Sequence, residues 1–241
     1  MIDLRPVRSS LLAGALFFVL VHPASAELSH AGYTGLISIP TPEVEPEGRM
    51  CIAFSWLDGS RTYLMAPRIN RVYALTMGLL PGLEVTFRQT QVIGWRDPDA
   101  PGVAYAFDRM GSFKYRLPLP AGFPRLAAGI QDFASVGMLM GISPLKPGLD
   151  QRGLTTLYAV MGDRLGPVAW SLGAARSHAS INGTFGGASI DLPGGFQLMA
   201  EHDSQTINLG MRFSPHPAVM LQASRIGDGT QAFGGRIGWS L

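Results

Sequence analysis

Four histidines follow the first 26 residues: His30, His178, His202 and His216. None stands at metal-ligand spacing from another histidine or from Cys51, so no metal centre is expected. His178 and Ser180 come nearest to a hydrolytic pair, since a lipase needs a serine beside a histidine base. At i, i+2 in a short hairpin, such residues more readily face solvent. A Gly-x-Ser-x-Gly elbow and a phosphate-binding glycine loop are both missing. The sequence therefore predicts no catalytic residue, no metal and no cofactor. Asn182-Gly183-Thr184 fits a glycosylation pattern, but an Asn-Gly hairpin turn explains it more simply. Cys51 stands alone, which excludes a disulfide framework, and reads as a small apolar filler in a strand.

A second set of residues is charged rather than reactive. In "TINLGMRF", Ile207, Leu209, Met211 and Phe213 alternate with Thr206, Asn208, Gly210 and Arg212. "FKYRLPL" and "LEVTFRQ" alternate in the same way. Period-two alternation gives a strand one apolar and one polar face. If the apolar faces meet lipid, Glu84, Arg88, Lys114, Arg116, Glu201, Asp203, Asn208, Arg212 and Gln222 point into a lumen. Both charge signs are present. They would either satisfy one another as a closed core, or line a path that touches a glycan or an inserted segment.

The elements that would carry them are strands. Twelve candidates run over 49–57, 71–80, 83–94, 109–119, 125–133, 154–165, 167–177, 185–192, 196–203, 206–214, 218–226 and 232–241. Most are long enough to cross a bilayer at a tilt, for which roughly 9–11 residues are needed. Long and short connections alternate through the first six, as in an up-and-down barrel. Pro81-Gly82 is tight, and 58–70, 95–108 and 134–153 are long. Asn182-Gly183, Asp228-Gly229, and Pro215 with Pro217 mark later turns. Trp56, Tyr73, Phe87, Phe113, Tyr115, Trp170, Phe213 and Trp239 suit an interface girdle.

Composition agrees. Only 15% of residues are charged and 46% are hydrophobic, yet no window after residue 26 is apolar enough for a membrane helix. Arg5 and Arg8, the apolar run 11–21 and Ala24-Ser25-Ala26 read as a signal peptide over 1–26. Glu27 rather than a cysteine follows, so the signal is not of lipoprotein type. A net charge of +2 gives no argument for nucleic acid. The expected fold is an all-β, transmembrane, up-and-down antiparallel barrel of about 12 strands, with 10 or 14 as alternatives and a soluble β-sandwich as the rival class. It would occupy 49–241.

The stretch "GLISIPTPEVEPEG" precedes it, within a proline-rich segment 27–48. Pro40, Pro42 and Pro46 forbid a helix and disfavour a central strand. The segment looks too polar for core. It is expected to begin in the periplasm as an ordered lead-in, or to fold up into the lumen as a short plug.

These stretches, taken in order, resemble the YjbH-type outer-membrane proteins of exopolysaccharide and capsule production. "GLISIPTPEVEPEG" is similar to that family's opening pattern, and "PGLEVTFRQT" to its entry into an outward strand. "GSFKYRLPLPAGFPRLAAGIQDF" is similar to its long hairpin ending in Asp132-Phe133. "NGTFGGASIDLPGGFQLMAEHDSQTINLGMRF" is similar to three of its later strands. The resemblance implies a non-enzymatic outer-membrane role in polysaccharide secretion or surface assembly. Its partners would be outer-membrane lipid, the exopolysaccharide, periplasmic export proteins and the barrel-assembly machinery. Other classes are a small channel or structural barrel, and a lipid-modifying barrel enzyme using His178 or Ser180.

Overall fold

The computed structural model describes residues 26–58, 69–93, 105–135, 155–177, 181–227 and 229–240. It holds twelve strands: β1 (Arg49–Asp58), β2 (Ile69–Leu80), β3 (Leu83–Ile93), β4 (Tyr105–Arg116), β5 (Arg125–Ser135), β6 (Thr156–Leu165), β7 (Val168–Arg176), β8 (Gly183–Leu192), β9 (Phe196–His202), β10 (Ile207–His216), β11 (Val219–Ile226) and β12 (Thr230–Ser240). Each pairs antiparallel with its sequence neighbours. β1 closes on β12 from Arg49↔Ser240 to Asp58↔Gln231. The strand count is the expected twelve, and the fold is that of an outer-membrane-type barrel. Closure leaves no unpaired edge, which is what a strand protein in lipid requires.

One end of the barrel carries the short connections 81–82, 117–124, 166–167, 193–195 and 217–218; we call it the turn end. Gly82 (φ 79°) and Gly194 (φ 79°) take left-handed conformations there, where a side chain would be strained. At the other end, which we call the loop end, β1, β3, β5, β7, β9 and β11 finish and β2, β4, β6, β8, β10 and β12 begin. His178, Ser180 and Asp228 lie outside the described residues.

β4 departs from its expected span. It starts four residues earlier and ends at Arg116, because Pro118 and Pro120 cannot donate to a ladder. Leu117 N–H makes the last bond across, to Leu126 O at 2.8 Å.

The two faces separate as the alternation predicts. Ile52, Phe54, Trp56, Phe87, Leu157, Leu172, Leu209, Leu221 and Ile237 are outward and exposed, with no protein to cover them. Phe54 packs at a tilt against Tyr73, and Phe196 stacks beside Phe213. The outward arginines among the described residues, Arg71, Arg109, Arg176 and Arg225, all lie in the loop-end half.

The inward face is more mixed than the polar pattern suggests. Leu57, Val72, Val160, Phe185 and Met199 are buried there. They pack on Leu36, Ile37 and Ile39, which come from the segment before β1. That segment is not a lead-in lying outside the barrel: 27–48 occupies the lumen. Its polarity belongs to its carboxylates and turn residues, while Leu28, Ile37, Ile39 and Val44 are buried as in any core.

Candidate functional site

The lumen is best built from the inserted segment outward. Glu27 lies beside Gln197, the second residue of β9, at the turn end. The chain climbs to 37–39, which meet Glu201 near the loop end of β9. It then returns to Glu43, beside Arg125 at the start of β5, and enters β1. Both legs therefore stand at the turn-end mouth. Prolines 40, 42 and 46 keep the descending leg extended without demanding donors. Gly32, at φ 91°, makes a bend against the wall, where a side chain would collide with Ala74 Cβ at 2.1 Å.

The wall holds this plug chiefly by its backbone. The Glu201 carboxylate accepts from the N–H groups of Ile37 and Ser38 at 2.8 Å each and of Ile39 at 3.3 Å. Asn208 Nδ2 donates to the same carboxylate at 2.9 Å. Arg212 does the converse. Its Nη2 donates to the carbonyls of Leu28 (3.1 Å), Gly35 (2.7 Å) and Leu36 (2.5 Å), and its Nη1 meets Glu27 at 2.7 Å. Gln222 Oε1 fixes its Nε at 2.6 Å. Such charge-assisted bonds compensate the burial of a carboxylate and a guanidinium that would otherwise be costly.

A second cradle lies on β3 and β4. Glu84 accepts from Thr34 N–H at 3.0 Å, Thr34 Oγ1 at 2.7 Å and Glu45 N–H at 2.9 Å. Lys114, opposite it in register, is 3.5 Å from Glu84. Lys114 donates to the carbonyls of Thr34 (2.7 Å) and Thr41 (3.3 Å), and also to Thr34 Oγ1. Arg88 pairs with Asp132 at 3.0 Å within the wall.

Of the nine residues expected to point inward, Glu84, Lys114, Glu201 and Arg212 grip the plug directly. Asn208 and Gln222 orient two of those grips, and Arg88 is buried beside Asp132. Two need correction. Arg116 is exposed at the turn-end rim, because it ends β4 beyond the reach of the plug. Asp203 has left the wall: past the end of β9, half-buried, it accepts from Gln205 N–H (3.0 Å), Thr206 N–H (2.8 Å) and Asn208 Nδ2 (3.1 Å), and so caps the β9–β10 turn.

The structure adds residues that the alternation did not single out. Glu45 is fully buried beside Arg49 (3.2 Å), with Arg236 at 3.9 Å. Cys51 is more than filler, since its thiol donates to Glu45 Oε1 at 3.0 Å. Burial pushes the Glu45 carboxyl above the usual carboxylate range. His30 sits between Ser55 (Nδ1, 3.2 Å) and Ser224 (Nε2, 2.7 Å), at the edge of a cavity with room for about one water. Burial, helped by the nearby Arg212 charge, holds its imidazole down at about 3. These serine–histidine contacts join the plug to β1 and β11 of the wall. Among the described residues no group of His, Cys, Asp and Glu could hold a metal ion.

Residues 27–141 match the YjbH family model, described as exopolysaccharide biosynthesis protein YbjH. The family resemblance of the sequence is thus borne out over the plug, β1 to β5 and the residues that follow to position 141. No curated protein matches the chain. Among solved structures, the chain is similar to Ail, the attachment invasion locus protein of Yersinia pestis. It is likewise similar to Ail in complex with the heparin analogue sucrose octasulfate. In each case identity is 10% and the TM-score 0.18, over 80% of this chain and 97% of that one.

Proposed function

We propose that this chain is a plugged outer-membrane barrel that assists the secretion or surface assembly of an exopolysaccharide and catalyses no reaction. The observation that carries this reading is the filled lumen, together with a family match that takes in the plug itself. The exposed apolar outer face suits lipid. Among the described residues the outward arginines stand in the loop-end half, which suits a leaflet rich in phosphate headgroups and supports a reading with the loop end at the cell surface and the turn end in the periplasm. Export through a cleaved signal over 1–26 and insertion by the assembly machinery belong to the same proposal. At the turn-end mouth, periplasmic export proteins would meet the plug's two legs. A constitutively open small channel fits less well, because the plug seals the path.

The test compares exported with cell-retained polysaccharide in a deletion strain and its complement. A fall in the exported fraction, restored by complementation, is expected. Unchanged fractions while polymer is being made would reject the export role and leave the barrel.

A further inference from the structure

The plug is an acidic segment seated in a cationic wall. From Ala26 to Gly48 it carries Glu27, Glu43, Glu45 and Glu47 and no lysine or arginine. Three of these lie against cations of the barrel. Glu27 meets Arg212 at 2.7 Å, Glu43 meets Arg125 at 2.9 Å, and Glu45 meets Arg49 at 3.2 Å with Arg236 at 3.9 Å. The wall's own acids are differently engaged: Asp132 pairs with Arg88, Glu84 with Lys114, and Glu201 binds backbone N–H groups of the plug. Among the described buried wall residues, Arg88, Lys114, Arg212 and Arg236 outnumber Glu84, Asp132 and Glu201. Arg49 and Arg125 add positive charge at the turn-end mouth.

Topology makes the plug removable. Both legs leave through the same mouth, so it can withdraw toward the turn end without threading the barrel. It crosses the lumen twice, up and down. The space it vacates is the one that held those two passes of polypeptide.

We infer that the lumen, once the plug has withdrawn, is a conduit for an acidic polysaccharide, whose carboxylate or phosphate groups replace the plug's glutamates on Arg212, Arg236, Arg49 and Arg125. A lining with an excess of positive charge favours anions over cations and concentrates them locally. The polymer is thus both cargo and competitor for the seat. This rests on the export reading for its physiological setting, but its test does not.

The test is a planar-bilayer recording on the full chain carrying Ile37→Asn and Ile39→Asn. These changes loosen the plug's buried apolar anchor without altering any charge. The expected current prefers anions. Polygalacturonate added on the turn-end side should block it at about tenfold lower concentration than dextran of equal length. Arg212→Gln and Arg236→Gln on that background should erase the difference. Cation preference, or equal block by polygalacturonate and dextran, would overturn the inference. Should the double variant fail to assemble as a heat-modifiable barrel, Ile37→Ser alone in the same recording decides between these outcomes. Anion selectivity and polyanion block in the bilayer, beside an unchanged exported fraction in the deletion strain, would sink the export role and keep the conduit. An export defect with cation selectivity would do the reverse.

Discussion

Glu201 and Arg212 divide one task between them: the carboxylate takes the plug's N–H groups and the guanidinium takes its carbonyls. Replacing Glu201 with Leu strands three backbone donors of the plug, and loss of charged hydrogen bonds costs about 3 kcal/mol. In a Cys51→Ser background, a cysteine at half-buried Ser38 should then react faster with a polar thiol reagent, and Glu201→Gln should fall between. A rate equal to that of the parent would refute the grip. His30 sets a pH dependence. A withdrawn plug takes up a proton below about 6.5, the ordinary histidine value, whereas the seated one resists until about 3. Seating is therefore fully favoured above about 6.5 and weakens progressively as pH falls below it. Glu45, held high by burial, works in the opposite direction near the carboxylate range, so His30→Gln isolates the histidine's share. The acid-induced rise in labelling at position 38 should flatten in that variant. Alternation made Glu84, Lys114, Glu201 and Arg212 legible, since a charge in an alternating strand has one face to occupy. Arg236 and Asp132 were not legible. Arg236 lies between Gly235 and Ile237 in a glycine-rich strand, and Asp132 takes a left-handed conformation (φ 56°) beside the β4–β5 register shift.

At the scale of elements, the strands were readable because their turns are punctuated by glycine and proline and their faces alternate. β4 was misplaced where Pro118 and Pro120 end the ladder although the apolar pattern continues. The segment 27–48 was the harder case. It has no period, so nothing local separates a chain lying under a barrel from one packed inside it. The answer lies in distant glycines on the wall. A side chain at Gly210 would stand 2.9 Å from Ile37 Cδ1, and one at Gly187 would stand 2.6 Å from Leu36 Cδ1. Those gaps are the mould of the plug. Gly210→Leu should expel 37–39 while the barrel still forms, since the closest contacts are flexible side-chain tips, Ile37 and Met199. Protease sensitivity of 27–48 with retained heat-modifiability is the expected result. A protected segment would show that the wall has slack that the packing does not reveal.

For the whole molecule, the apolar outside, the closed ladder and the occupied lumen make one statement. Lipid meets the outer faces, no strand edge is open, and the interior is filled by the chain that leads into it. A twelve-strand barrel lies between the side-chain-filled small barrels and the water-filled porins, and here a plug fills the difference. The direct check is single-channel conductance of the purified full chain in planar bilayers, beside the same protein lacking 27–48. We expect the full chain to be closed at rest, with only brief openings, and the shortened one to conduct steadily. Steady conductance of the full chain, equal to that of the shortened one, would contradict a lumen sealed by its own N-terminal segment.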